Sequence, residues 1–164
     1  MTTQKEAGMA GRIEQQLQSR GIVLPAASTP AANYIPYTRS GSLVFIAGQI
    51  CQTDGKPMCV GKVGAAVDLP TAQKAARVCG LNILGVLRAA CGGDLDKVVR
   101  CLRLGGFVNV APGFTDVPLI VNGASDLIVE VFGEQGRHAR TAVGVAELPR
   151  NVTVEVDAIF EVGG

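Results

Sequence analysis

From Val152 to Glu161 apolar and β-branched residues recur at every second position, and a shorter run from Ala139 to Ala146 follows the same rule. Alternation of this kind is what a half-buried strand requires, because successive side chains of an extended backbone leave on opposite faces. In the later run Val152, Val154, Val156, Ala158 and Phe160 oppose Thr153, Glu155, Asp157, Ile159 and Glu161; in the earlier one Thr141, Val143 and Val145 oppose Arg140, Ala142, Gly144 and Ala146. If both valine faces share one core, Arg140 and Glu155 emerge on a common opposite face. The small residues beside Arg140 then leave room for a ligand. A plain cross-strand ion pair between the two charges is the other reading of the same pattern.

The rest of the chain sets the scale of that core. With 164 residues, a single domain can bury roughly 70% of its unfolded surface. Hydrophobic residues make up 48% of the chain and mean hydropathy is +0.30, yet no apolar run reaches the ~20 residues of a membrane span. The surplus is expected to be covered in an oligomer, with no membrane partner. A net charge of +1 gives no field for gathering nucleic acid or anionic lipid. Five cysteines, at 51, 59, 79, 91 and 101, are odd in number and lack CxxC spacing, so they read as reduced core residues. The first eleven residues contain no apolar leader segment, and a cytoplasmic location is expected. The Asn151–Val152–Thr153 sequon has no consequence there.

Residues 9–20 predict a short amphipathic helix ending at Gly21, and Leu24 to Ala32 a linker, so that residues 1–32 form an extension to a domain spanning 33–164. Tyr34–Thr38 and Ser42–Ala47 are strand candidates joined by a turn at Arg39–Gly41. Thr53–Lys56 is a turn, and 60–67 an irregular stretch. Asp68 and Pro70 cap a long helix over about 71–91, with Ala72, Ala75, Ala76, Cys79, Ile83, Val86, Leu87 and Ala90 on its buried face. A strand over 101–110 follows, whose Gly105–Gly106 pair marks a bulge or a close approach by another backbone. Ala111–Pro118 is a loop and Asn122–Glu134 a second helix. The order β-β-(β)-α-β-α-β-β favours an α+β domain with helices on one face of the sheet and a partner subunit on the other.

Several segments together resemble the RidA/YjgF family of enamine and imine deaminases, over roughly residues 33–162. They are Ile35–Pro36–Tyr37, Ala47–Gly48–Gln49–Ile50, Leu81–Asn82, Val121–Asn122, Ala139 to Val143, Leu148–Pro149 and Val154–Glu155–Val156. The resemblance implies a chorismate-mutase-like fold with a mixed sheet, assembled as a homotrimer whose sheets form a central barrel and whose clefts lie between subunits. It implies hydrolysis of a small 2-imino or enamine acid to the 2-keto acid and ammonia, with no metal or organic cofactor. Arg140 would hold the substrate carboxylate with its planar fork, and Glu155 would position the attacking water. Tyr37, Gly48, Asn122 and the backbone of Ala142 would contact substrate. Many relatives carry Ser where Ala47 stands and Ser-Cys where Thr141–Ala142 stands, so substrate preference is open.

Each assignment has a plainer counterpart. Glu155 shares its face with Asp157 and Glu161, as a solvated acidic strand would. Tyr37 can be a packing aromatic, and Asn122 a helix N-cap. His138, the sole histidine, has no evident nucleophile beside it. Gly61–Gly64 lacks phosphate-loop spacing. Two other functions stay open: a carboxylate-binding regulator without turnover, and a ribonuclease, against which the weak charge and the missing histidine pair argue.

Overall fold

Asp68 accepts a hydrogen bond from the Thr71 N–H at 2.8 Å and starts the longest helix, α2, with Pro70 in the first turn where no backbone donor is needed. The computed structural model describes residues 10–29 and 32–164; residues 1–9, on which the reading of the leader rests, and residues 30–31 of the expected linker lie outside them. The elements are α1 (Arg12–Ser19), β1 (Tyr37–Ser40), β2 (Leu43–Ile50), β3 (Gln52–Thr53), β4 (Lys56–Pro57), α2 (Leu69–Ala90), β5 (Val98–Asn109), α3 (Val117–Phe132), β6 (Ala139–Val145) and β7 (Val154–Val162).

Five strands form one sheet in the order β1-β2-β7-β5-β6, and β3 and β4 make a separate small hairpin. Only β5 and β6 run parallel, so the sheet is mixed. Both long helices cover the same face, as the element order suggested. Seven of the eight residues assigned to the buried face of α2 are buried and Ala90 is half-buried. Val44, Ile46, Leu104, Val108, Val154, Val156, Ala158 and Phe160 point from the sheet into the same core.

Three sequence expectations need correction. Helix α3 begins at Val117, not Asn122, because Pro118 occupies its first turn, where proline is tolerated, instead of closing the preceding loop. Asn122 therefore sits one turn inside the helix and is no N-cap. The Gly105–Gly106 pair holds no bulge, and the irregularities of β5 fall between Val98 and Arg100 and between Cys101 and Arg103. A Cβ on Gly106 would come within 2.5 Å of the Val121 side chain on α3, so the close approach is by a helix side chain and not by another backbone.

The third concerns residues 24–29, read as linker. Leu24 is buried, its carbonyl accepts from Arg88 on α2 at 3.3 Å, and the Pro25 carbonyl lies where a side chain on Gly85 would be. Helix α1 is fastened as well. The Asp96 carboxylate accepts from the N–H groups of Arg12 and Ile13 at 2.7 and 2.8 Å, filling orphan donors at the helix start. Ile13 and Leu17 are 1% and 2% exposed, and burying side chains of that size stabilises by roughly 1.5–3 kcal/mol each. Leu17→Ala is therefore expected to lower unfolding free energy in urea by about 2–4 kcal/mol; a loss under ~0.5 kcal/mol would mean the extension is not part of the cooperative core.

Candidate functional site

Strand β5 lies between β6 and β7, so the strands carrying Arg140 and Glu155 are not neighbours. Arg140 is level with Leu104 and Ala158, which face the helices, whereas Glu155 is level with Phe107 and Val143, which face away. The expectation of a common face is overturned. Its premise fails at β6, a sheet-edge strand on which Val143 is 40% exposed and the Arg140–Ala142 side is the one turned toward α3. An intrachain ion pair between Arg140 and Glu155 falls with it.

Arg140 is held by one stripe of α3. Its Nη1 donates to Asn122 Oδ1 at 2.8 Å and to Ser125 Oγ at 3.2 Å, and its Nη2 donates to the Pro118 carbonyl at 3.3 Å. Residues at these spacings share a helix face. Of the five guanidinium N–H groups, one on Nε and one on Nη2 are left without a partner among the described residues. His138 braces the arrangement, with Nε2 2.9 Å from Ser125 Oγ and Nδ1 2.6 Å from the Gly136 carbonyl. A carbonyl only accepts, so Nδ1 donates to Gly136. Ser125 was missed in the sequence, although its spacing of three from Asn122 on a helix was the available signal.

Glu155 belongs to a second place, a cavity of about 470 Å3 on the open side of the sheet. The register of β2 shifts between Ile46 and Gln49, and Gly48 comes to lie against Glu155; a Cβ there would overlap the carboxylate. Asn82, from α2, donates to the carbonyls of Ile50 and Gln52 at 3.1 and 3.0 Å and fixes the strand end beside the cavity. Tyr34 and Pro36 line it, while Tyr37 faces the helices, packed against the core from β1. Arg150 lines it too, an arginine to which no motif pointed.

Three acids occupy the outer face of β7, and their surroundings separate them. Asp157 pairs with Arg103 at 3.1 Å and Glu161 with Arg100 at 3.4 Å. Glu155 lies level with Phe107 and has no ion-pair partner among the described residues. Burial, and then the neighbouring Asp157 charge, push its carboxyl above the usual carboxylate range. Elsewhere the tempting signals are accounted for. Lys62 donates to Asn109 Oδ1 at 2.7 Å and to the Ala146 carbonyl, so it is tied down and offers no phosphate site. All five cysteines are free and buried. No helix among the described residues is long and apolar enough to cross a membrane.

The sites divide into an Arg140–Asn122–Ala142 group on the helix side and a Glu155–Gly48 group on the open side. Comparison with known proteins gives them a context. The family model described as "YjgF/chorismate_mutase-like, putative endoribonuclease" matches residues 14–161. The chain is 48% identical to Protein TCP17 of Trypanosoma cruzi over 93% of its length and 95% of that protein. It is 30% identical to a 2-iminobutanoate/2-iminopropanoate deaminase of Dermatophagoides farinae, covering 85% of this chain and 94% of the other. The crystal structure of Atu1372, a protein of unknown function from Agrobacterium tumefaciens, superposes with a TM-score of 0.85 at 48% identity, over 93% of this chain and 94% of that one.

The raised Glu155 carboxyl carries a sign that can be checked. The folded protein holds this proton more tightly than the unfolded chain, so the associated stability is full below the ordinary value of 4.5 and is lost as pH rises through the raised one. Glu155→Gln is therefore expected to raise the melting temperature at pH 7, with a gain that shrinks toward zero as pH falls to about 4. A gain independent of pH would contradict the assignment.

Proposed function

The chain belongs to the YjgF/chorismate-mutase-like family, and from that premise we propose that it hydrolyses small 2-imino and enamine acids to 2-keto acids and ammonia in a cleft between two copies of itself. The observation that carries this reading is the division of charges. A cavity with a carboxylate of raised proton affinity lies on the open face, and an arginine with two unused donors lies on the helix face at the far edge. No movement within one chain unites them; a neighbouring copy that brings its Arg140 to this chain's Glu155 does.

The exposed face of the sheet supports such an assembly. Phe45 and Val143 are 39% and 40% exposed there, Ile159 and Phe107 are half-buried, and a closed ring of three copies would cover them around a central barrel. In the cleft Arg140 of one copy holds the substrate carboxylate through Nε and Nη2, a charge-assisted pair. Asn122 and Ser125 fix the guanidinium so that little side-chain entropy is lost on binding. Ala142 leaves the approach to the arginine open, and Tyr37 contributes by anchoring the start of β1, directly after the segment from which Tyr34 and Pro36 reach the cavity wall.

Glu155 supplies the proton chemistry. An enamine first tautomerises to the imine. As the water oxygen forms its bond to the carbon of the protonated imine, Glu155 takes a water proton and the C=N pair goes to nitrogen, which becomes the amine of a carbinolamine. The carboxyl then returns that proton to nitrogen; as the C–N bond breaks, the freed carboxylate takes the hydroxyl proton, and a ketone and ammonia are left. A carboxylate with elevated proton affinity is the better base near neutral pH, since general-base efficiency rises as the catalytic pKa approaches the working pH.

The direct test generates 2-aminoacrylate or a longer imino acid in situ and follows its disappearance. Acceleration by the wild-type protein is expected, and Arg140→Ala should lower kcat/KM by about 100-fold, the equivalent of roughly 3 kcal/mol of lost charge-assisted binding. Full activity in Arg140→Ala would refute the carboxylate clamp. Keto-acid binding with no turnover of any imine would leave a regulatory binding protein in place of the enzyme.

A further inference from the structure

Arg150 stands at the wall of the Glu155 cavity in a conformation that side chains other than glycine seldom adopt. Its backbone is left-handed, with φ 56° and ψ 20°, and Asn151 follows with φ 55°. Each such residue costs roughly 1–2 kcal/mol and persists only where its surroundings enforce it. Here they do. Asn151 is held by Asn109 Nδ2 on its side chain at 3.0 Å, by the Gly61 N–H on its carbonyl at 2.8 Å, and by its own N–H to Leu148 at 3.0 Å. The guanidinium of Arg150 is pinned as well: Nη1 donates to Gln52 Oε1 at 3.1 Å and to the Gly55 carbonyl at 3.1 Å, and Nη2 donates to the same carbonyl at 3.2 Å.

These three bonds use both Nη1 protons and the Nη2 proton facing Nη1. The unused donors are then Nε–H and the remaining Nη2–H, which lie parallel on one edge and match the two oxygens of a carboxylate. That edge belongs to a residue lining the same cavity as Glu155. A three-carbon imino acid, held at its own carboxylate by Arg140, would fill only a fraction of about 470 Å3.

We infer that the preferred substrates are 2-imino acids with a second carboxylate at the far end of the side chain, and that Arg150 is the residue that selects it. The inference rests on the deaminase reading above. With the imine carbon beside Glu155 and the 2-carboxylate on the neighbouring copy's Arg140, the side chain runs toward Arg150. A carboxylate suits this place better than a phosphate, because Arg150 is the only cation lining the cavity among the described residues and Glu155 repels a dianion. Gln52 acts through Arg150 as a positioning residue.

The product keto acids serve as probes that bind without turnover. Calorimetry on the intact protein with 2-oxoglutarate, oxaloacetate and the chain-matched monoacids 2-oxopentanoate and 2-oxobutanoate is expected to show at least a tenfold preference for the diacids. Arg150→Met should bring that ratio close to one, Arg150→Lys should keep part of it, and Gln52→Met, which frees the arginine without removing it, should reduce it. Monoacid binding that depends on Arg140 but shows no wild-type preference for diacids, or a preference that survives in Arg150→Met, overturns the role of Arg150 alone. Binding of none of the four acids overturns it together with the deaminase reading.

Discussion

The placement of β5 between β6 and β7 governs everything that follows. Pleating makes each strand position face either the helices or the open side, and the register of three strands ties Arg140 to the buried row through Leu104 and Ala158, and Glu155 to the outer row through Phe107. Two charged residues fifteen positions apart are thereby fixed on opposite surfaces of one sheet. Neither surface alone holds both Arg140 and Glu155.

Each half is prepared by local packing. On the helix side the stripe Pro118, Asn122, Ser125 orients the guanidinium, and it can do so because Gly106 lets α3 settle against the sheet at Val121. On the open side the irregularity in β2 sets Gly48 against Glu155, and the carboxylate loses solvation without gaining a cation. A buried carboxylate without a counter-ion opposes folding at neutral pH. That cost falls where the proposed chemistry is placed, as strained and destabilised groups tend to.

Much of this was legible in the sequence because it is periodic or local. The helix face of α2, the cap at Asp68, the two strand runs at the C-terminus and the order of elements all follow from spacing and residue type. What was not legible depends on non-local register. The valine side of β6 looked like a core face, yet an edge strand with helix cover on one side reverses which residues are inside, and nothing in residues 139–146 reports that. Pro118 was ambiguous between ending a loop and opening a helix. Leu24 and Pro25 looked like linker until Gly85, some sixty residues on, supplied the space they occupy. Arg150 carried no signal at all, since its importance comes from a left-handed backbone and from Gln52 and Gly55, which reach it from a distant hairpin.

The proposed cleft needs Arg140 from one copy and Glu155 from another. Arg140→Ala and Glu155→Gln, each inactive alone, should complement when the two chains are co-expressed and purified as mixed assemblies. Every mixed three-fold ring has about one third of its clefts with both native residues, and imine hydrolysis should recover to about that share of the wild-type rate. Mixed assemblies no more active than either variant alone would contradict the shared cleft.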